Sequence, residues 1–185
     1  MIKSPPTTAT HFADGIGPAQ FVDWVSQIAP DTEISLYVHV PFCRRLCWFC
    51  ACRTQGTRTL APVEAYIGTL EKELALLRDV LPNGLRMGRM HWGGGTPTIL
   101  PPDLIERLAK AVKAVIPPTE DWEFSVEIDP NELDAARVEA LARAGMNRAS
   151  IGVQDFDEEI QKMLDGKQTA EEAAAKAKAK WEAEF

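Results

Sequence analysis

The sequence predicts an α/β fold of about four parallel βα units. Short β-rich runs fall at about 34–40, 87–92, 123–128 and 148–153, and helical periodicity separates them at 62–81, 102–116 and 132–144. Strand and helix alternate in series, which is the pattern of parallel strands joined by helical crossovers.

The elements follow in order. Residues 1–33 are rich in Pro, Thr and Gly, with a short apolar stretch from Phe21 to Ile28, and read as an irregular arm leading into one small helix. The first long helix carries its buried stripe on Val63, Tyr66, Ile67, Leu70, Leu74 and Leu77, spaced by three and four, and Pro82-Asn83-Gly84 ends it. The second repeats the stripe with Leu104, Ile105, Leu108, Val112 and Val115 before Pro117-Pro118, and the third closes at Gly145. From Asp165 the chain is dominated by Ala, Glu and Lys, a strong helix former, with Thr169 and Glu172 as a capping box and Glu172 set to pair with Lys176. The expected organisation is an arm over 1–33, a core over 34–164 and a terminal helix over 165–185.

Composition narrows the function. A net charge of −7 supplies no basic footprint for nucleic acid or an anionic membrane. No apolar run approaches the roughly 20 residues of a membrane span, and MIKSPPTTATHF lacks the apolar stretch of a secretory signal, so a cytoplasmic protein is expected. All four cysteines lie between Cys43 and Cys52, too close together to staple distant parts of a fold.

Metal binding is the better use of those thiols. They follow the first strand at its C-terminal edge, where α/β architectures place their chemistry. Three closely spaced cysteines can hold three irons of a cube and leave the fourth open to a ligand. A structural zinc is the alternative, four cysteines matching its count, although Cys50-Ala51-Cys52 is a tight pair and no second knuckle exists. Strand parity supplies further candidates. Ser125, Glu127 and Asp129 alternate with Phe124, Val126 and Ile128; Ser150, Gly152 and Gln154, facing the lumen, alternate with Ala149, Ile151 and Val153, facing the helices; Tyr37 and His39 share the inward parity of the first strand. Gly93-Gly94-Gly95-Thr96-Pro97 after the second strand lets backbone groups approach a ligand closely. His39 alone reads more readily as a hydrogen-bonded core histidine than as a ligand.

YVHVPFCRRLCWFCAC resembles the radical SAM signature C-x3-C-x2-C. Through Tyr37, His39, Pro41-Phe42 and the extra Cys52 it is similar to oxygen-independent coproporphyrinogen III dehydrogenases. HWGGGTPT, SVEIDPNELD and SIGVQDFDEEIQ resemble that family in the same order, and the likeness covers roughly residues 4–164. It implies a partial (βα)-type radical SAM barrel with Cys43, Cys47 and Cys50 on a [4Fe–4S] cluster. It assigns S-adenosylmethionine to Tyr37, Phe49, Gly94, Gly95, Thr96, Glu127 and Gln154 and leaves Cys52 outside the ligand set; Trp48, beside Phe49, reads as a shield of the cluster against solvent.

The reaction so implied is reductive cleavage of the cofactor to a 5′-deoxyadenosyl radical that decarboxylates porphyrinogen propionates in heme biosynthesis, with an outside electron donor. The sequence departs from the family in two places. Four units can be counted where relatives have six and a further domain, and Asp165-Gly166-Lys167-Gln168 stands where the family has Asn-Arg-x-Gln, so an arginine is absent. A shortened core with exposed sheet edges, able to pair as a homodimer, is therefore expected. A heme-trafficking relative and a non-catalytic cluster-binding fragment are the alternative readings.

Overall fold

A computed structural model describes residues 17–47, 50, 52–152, 159, 162–163 and 166–184. The chain divides into two compact units between Ser150 and Ile151.

The first unit opens with helix α1 (Pro18–Ser26), which lies inside the expected arm and leaves Phe21, Val22 and Trp24 exposed. Its main sheet is built from β1 (Glu33–Val40), β4 (Arg86–Gly94), β5 (Pro118–Ile128) and β6 (Arg148–Ile151), in the order β1-β4-β5-β6. Pairing is parallel between β1 and β4 and between β4 and β5, as serial βα connections require. The crossovers are α2 (Ala61–Val80), α3 (Pro102–Val115) and α4 (Ala135–Arg143). Two short strands, β2 (Phe42–Cys43) and β3 (Gln55–Gly56), pair with each other and close the cysteine loop.

One apolar cluster joins the sheet to its helices. Val38 and Val40 of β1, Met90 and Trp92 of β4, and Phe124 and Val126 of β5 pack with Ile67 of α2, Ile105, Leu108 and Val112 of α3, and Leu141 of α4. The stripes read from the sequence are thus largely the ones buried, with Tyr66, Leu70 and Val115 packed at the margin of the cluster and Leu77 half-buried beyond it.

Two boundaries and the exposure of one strand differ from expectation. β5 begins at Pro118 because its first residues pair with Met87 across a register shift in the ladder. The helix expected from 132 starts at Ala135, after a 3₁₀ turn over Pro130–Glu132: Asp129 accepts the Asn131 amide and Asp134 accepts the Arg137 amide, so two successive side-chain caps break the entry into separate turns. In β6, Ala149 and Ile151 were expected against helices, yet both are exposed. β6 is the edge strand of the sheet, and α4 packs on α3.

The second unit contains α5 (Ala170–Glu184). Its capping box forms as expected, with the Thr169 amide donating to Glu172 at 3.0 Å and the Glu172 amide to Thr169 Oγ1 at 3.2 Å. Lys176, expected to pair with Glu172, reaches Gln168 at 2.8 Å and Glu159 at 3.6 Å instead. No helix among the described residues is long and apolar enough to cross a membrane.

Candidate functional site

Parallel register assembles the site at one edge of the sheet. Tyr37 lies beside His91, His39 beside Gly93, and Val40 beside Gly94, while Trp92 pairs with Val126. The cysteine loop, the glycine turn and Glu127 consequently leave the sheet on the same side. β2 and β3 then pin the start of the loop: the Gln55 amide donates to Pro41 O at 2.8 Å and the Thr57 amide to Cys43 O at 2.9 Å.

Cys43, Cys47, Cys50 and Cys52 form no disulfide. Thr96 Oγ1 donates to Cys43 Sγ at 3.5 Å, and the Cys50 amide donates to Cys47 O at 3.1 Å, turning the loop so that both residues are held near its tip. Cys52, exposed, has its thiol pushed above the ordinary cysteine range, first by its hydrogen bond with Cys50 and that neighbour's charge, then by burial, Glu127 and Cys43. Among the described residues no three His, Cys, Asp or Glu side chains converge on a point where one metal ion could sit. Three thiols on one loop, one of them receiving a hydroxyl hydrogen bond of the kind that tunes such clusters, suit the separate irons of a cube.

The glycine turn packs tightly against the protein's own backbone and side chains. A Cβ on Gly95 would stand 2.6 Å from the Phe42 carbonyl oxygen, and one on Gly94, at φ +109°, would stand 2.5 Å from the His39 ring. The glycines are thus demanded by protein packing. Their amides are also spent internally: Gly94 donates to Glu127 Oε2 at 3.1 Å, Gly95 to Val40 O at 2.8 Å and Thr96 to Phe42 O at 2.8 Å.

On the inward face of the strands lies a connected set of polar side chains. Tyr37, 55% exposed, donates its hydroxyl to His39 Nδ1 at 2.9 Å, and the other nitrogen of His39 donates to Arg53 O at 3.0 Å. Burial, followed by Glu127 and Cys52, raises the Tyr37 hydroxyl above the ordinary tyrosine range. His39 is thus a hydrogen-bonded histidine, as its lone occurrence suggested. Below them a groove of about 430 Å³ runs along the same face past Tyr37, Arg89, His91, Ser125, Arg148 and Ser150. Tyr37, Gly94, Gly95, Thr96 and Glu127 are brought together with Cys43 and Cys52, while Phe49, Trp48 and Gln154 lie outside the described residues. Sequence reading missed His91, although its place between Met90 and Trp92 gives it the same inward parity as Tyr37.

A parallel half-barrel with a cysteine loop at the C-terminal end of β1 and a polar inner face defines the class. Residues 37–180 match the radical SAM superfamily, and the chain belongs to it. Members of that superfamily use a [4Fe–4S] cluster and S-adenosylmethionine, and these are accordingly the cofactors of this chain.

Particular relatives sharpen this. The chain is 57% identical over 167 residues to the anaerobic coproporphyrinogen III oxidase 1 of Cereibacter sphaeroides, covering 90% of this chain and 37% of that protein. It is 57% identical over 164 residues to the oxygen-independent coproporphyrinogen III oxidase of Paracoccus denitrificans, covering 89% of this chain and 36% of the relative. The solved structure of coproporphyrinogen III oxidase from Escherichia coli, a radical SAM enzyme, superposes with a TM-score of 0.75 at 36% identity, over 91% of this chain and 38% of that one. The chain thus spans a little over a third of the length of these relatives.

Proposed function

We propose that this chain carries the cluster and cofactor half of an oxygen-independent coproporphyrinogen III oxidase, with Cys43, Cys47 and Cys50 each holding one iron of the cube. The observation that carries this reading is the juxtaposition of the cysteine loop, the glycine turn and Glu127 at one sheet edge, fixed by the Val40–Gly94 and Trp92–Val126 registers. When bound, the reduced cluster and S-adenosylmethionine supply a carbon-centred radical that takes hydrogen from a propionate side chain of the porphyrinogen.

The chain's own residues bind and orient. Thr96 donates to the Cys43 sulfur and holds it at the mouth of the loop. Glu127 is fixed by the Gly94 amide, with unused lone pairs left to accept from the cofactor's ammonium or ribose hydroxyls. Tyr37 presents an exposed ring edge on the same face, and Phe49 and Gln154 complete the contacts by family resemblance. Cys52 stays outside the ligand set.

The electron comes from a separate donor. Residues 41–63 contain four arginines and no acidic residue in a chain of net charge −7, and Arg45, Arg53 and Arg58 are exposed, so the donor's docking face is acidic. The experiment is anaerobic reconstitution with iron and sulfide, chemical reduction, and chromatography for 5′-deoxyadenosine. Formation of that nucleoside in step with loss of S-adenosylmethionine is expected. A fully loaded cluster that leaves the cofactor intact would overturn the reading.

A further inference from the structure

We infer that His91 is a positioning residue, holding Tyr37 and Glu127 at once in the orientation that meets the cofactor. This rests on the assignment of those two side chains to S-adenosylmethionine made above.

The geometry is specific. The His91 ring stacks on Tyr37 with centroids 5.7 Å apart and planes 17° from parallel, because β1 and β4 set the two residues side by side. From its far edge Nε2 reaches Glu127 Oε1 at 3.4 Å, across to β5. Glu127 is therefore gripped at both oxygens, by His91 on one and by the Gly94 amide on the other. Gly93, two residues along on the same face, keeps the space open: a Cβ there would stand 2.9 Å from His91 Nε2 and 3.0 Å from the Glu127 carboxyl carbon.

A single assignment of protons satisfies the whole chain of contacts. Tyr37 donates to His39 Nδ1, His39 Nε2–H donates to Arg53 O, and His91 Nε2–H donates to Glu127. The series runs from the cysteine loop at Arg53, over β1 and β4, to the glycine turn at Gly94. A flat ring with a donor on its outer edge is what the middle of that series requires. Phenylalanine would keep the stack and lose the donor; glutamine would keep a donor and lose the stack.

That division provides the test. The 185-residue chain is reconstituted anaerobically, and S-adenosylmethionine binding is read by equilibrium dialysis and by the change it causes in the paramagnetic resonance spectrum of the reduced cluster. His91→Ala should weaken binding about tenfold, the worth of one hydrogen bond to a charged group, with iron and sulfide content unchanged. His91→Gln, which restores the hold on Glu127, should recover more of that loss than His91→Phe, which restores only the stack on Tyr37, and neither should recover all of it. If the alanine variant folds poorly, the contrast between Gln and Phe decides alone. A space-filling role predicts the reverse order, and that order, or parental affinity in all three variants, overturns the inference. Failure of the parent chain, with its cluster complete, to bind the cofactor overturns the cofactor assignment itself and this inference with it.

Discussion

On β4, Met90 and Trp92 are sealed beneath the helices while His91, between them, faces an open polar groove; on β5, Phe124 and Val126 are sealed while Glu127 is not. One strand thus serves two environments at a period of two residues. The outer set is close-packed and tolerates little, because a lost methylene there leaves a cavity. The inner set is tied by hydrogen bonds and partly hydrated, so its members can change chemistry without unfolding the sheet. Stability is concentrated on one face and reactivity on the other.

Substitutions that cross this divide test it. Trp92→Ala, on the sealed face, should cost about 3–5 kcal/mol of stability in denaturant unfolding. Trp92→Phe should cost far less, since the indole N–H it removes has no partner among the described residues. Gly95→Ala, at the seam between the faces, forces a Cβ against the Phe42 backbone, and about 1–3 kcal/mol of overpacking cost is expected.

Glu127→Gln, on the inner face, should change stability by less than about 1 kcal/mol while cutting cofactor affinity about tenfold, measured on the same preparation. Equal losses in both quantities would erase the distinction between the faces. The smallest effect belongs to the helical surface, where Arg107 grips Glu71 and holds its carboxyl below the ordinary range. Because that value is lowered in the folded state, the pair's contribution is complete above the ordinary carboxylate range and disappears as pH falls through the lowered value. Glu71→Gln should therefore lower Tm slightly at neutral pH and leave it unchanged in strong acid.

The two faces were also unequally legible. Helical stripes such as Val63-Ile67-Leu74 and the alternation of β5 are periodic signals, and they gave the four strands and three crossovers to within a few residues. The start of α4 was lost because Asp129 and Asp134 each cap a separate turn, a choice set by local hydrogen bonds that periodicity does not carry. At the site, parity set Tyr37 and Glu127 inward.

What the sequence could not show was who uses the backbone of the glycine turn. Its amides go to Val40, Phe42 and Glu127, partners 33 or more positions away along the chain. His91 escaped notice because its role exists only once β1, β4 and β5 lie side by side. Cys52 had no readable role in the chain order, and the fold hydrogen-bonds it to Cys50 within the electrostatic reach of Glu127 and Cys43.

The central claim is that three thiols of one loop each take a separate iron. The direct measurement is iron, sulfide and zinc content per chain after anaerobic reconstitution, for the parent and for Cys43→Ala, Cys47→Ala, Cys50→Ala and Cys52→Ala. About four irons and four sulfides in the parent and in Cys52→Ala, with collapse of both in the other three, is the predicted result. Uptake of zinc without sulfide, or equal dependence on all four cysteines, would contradict it.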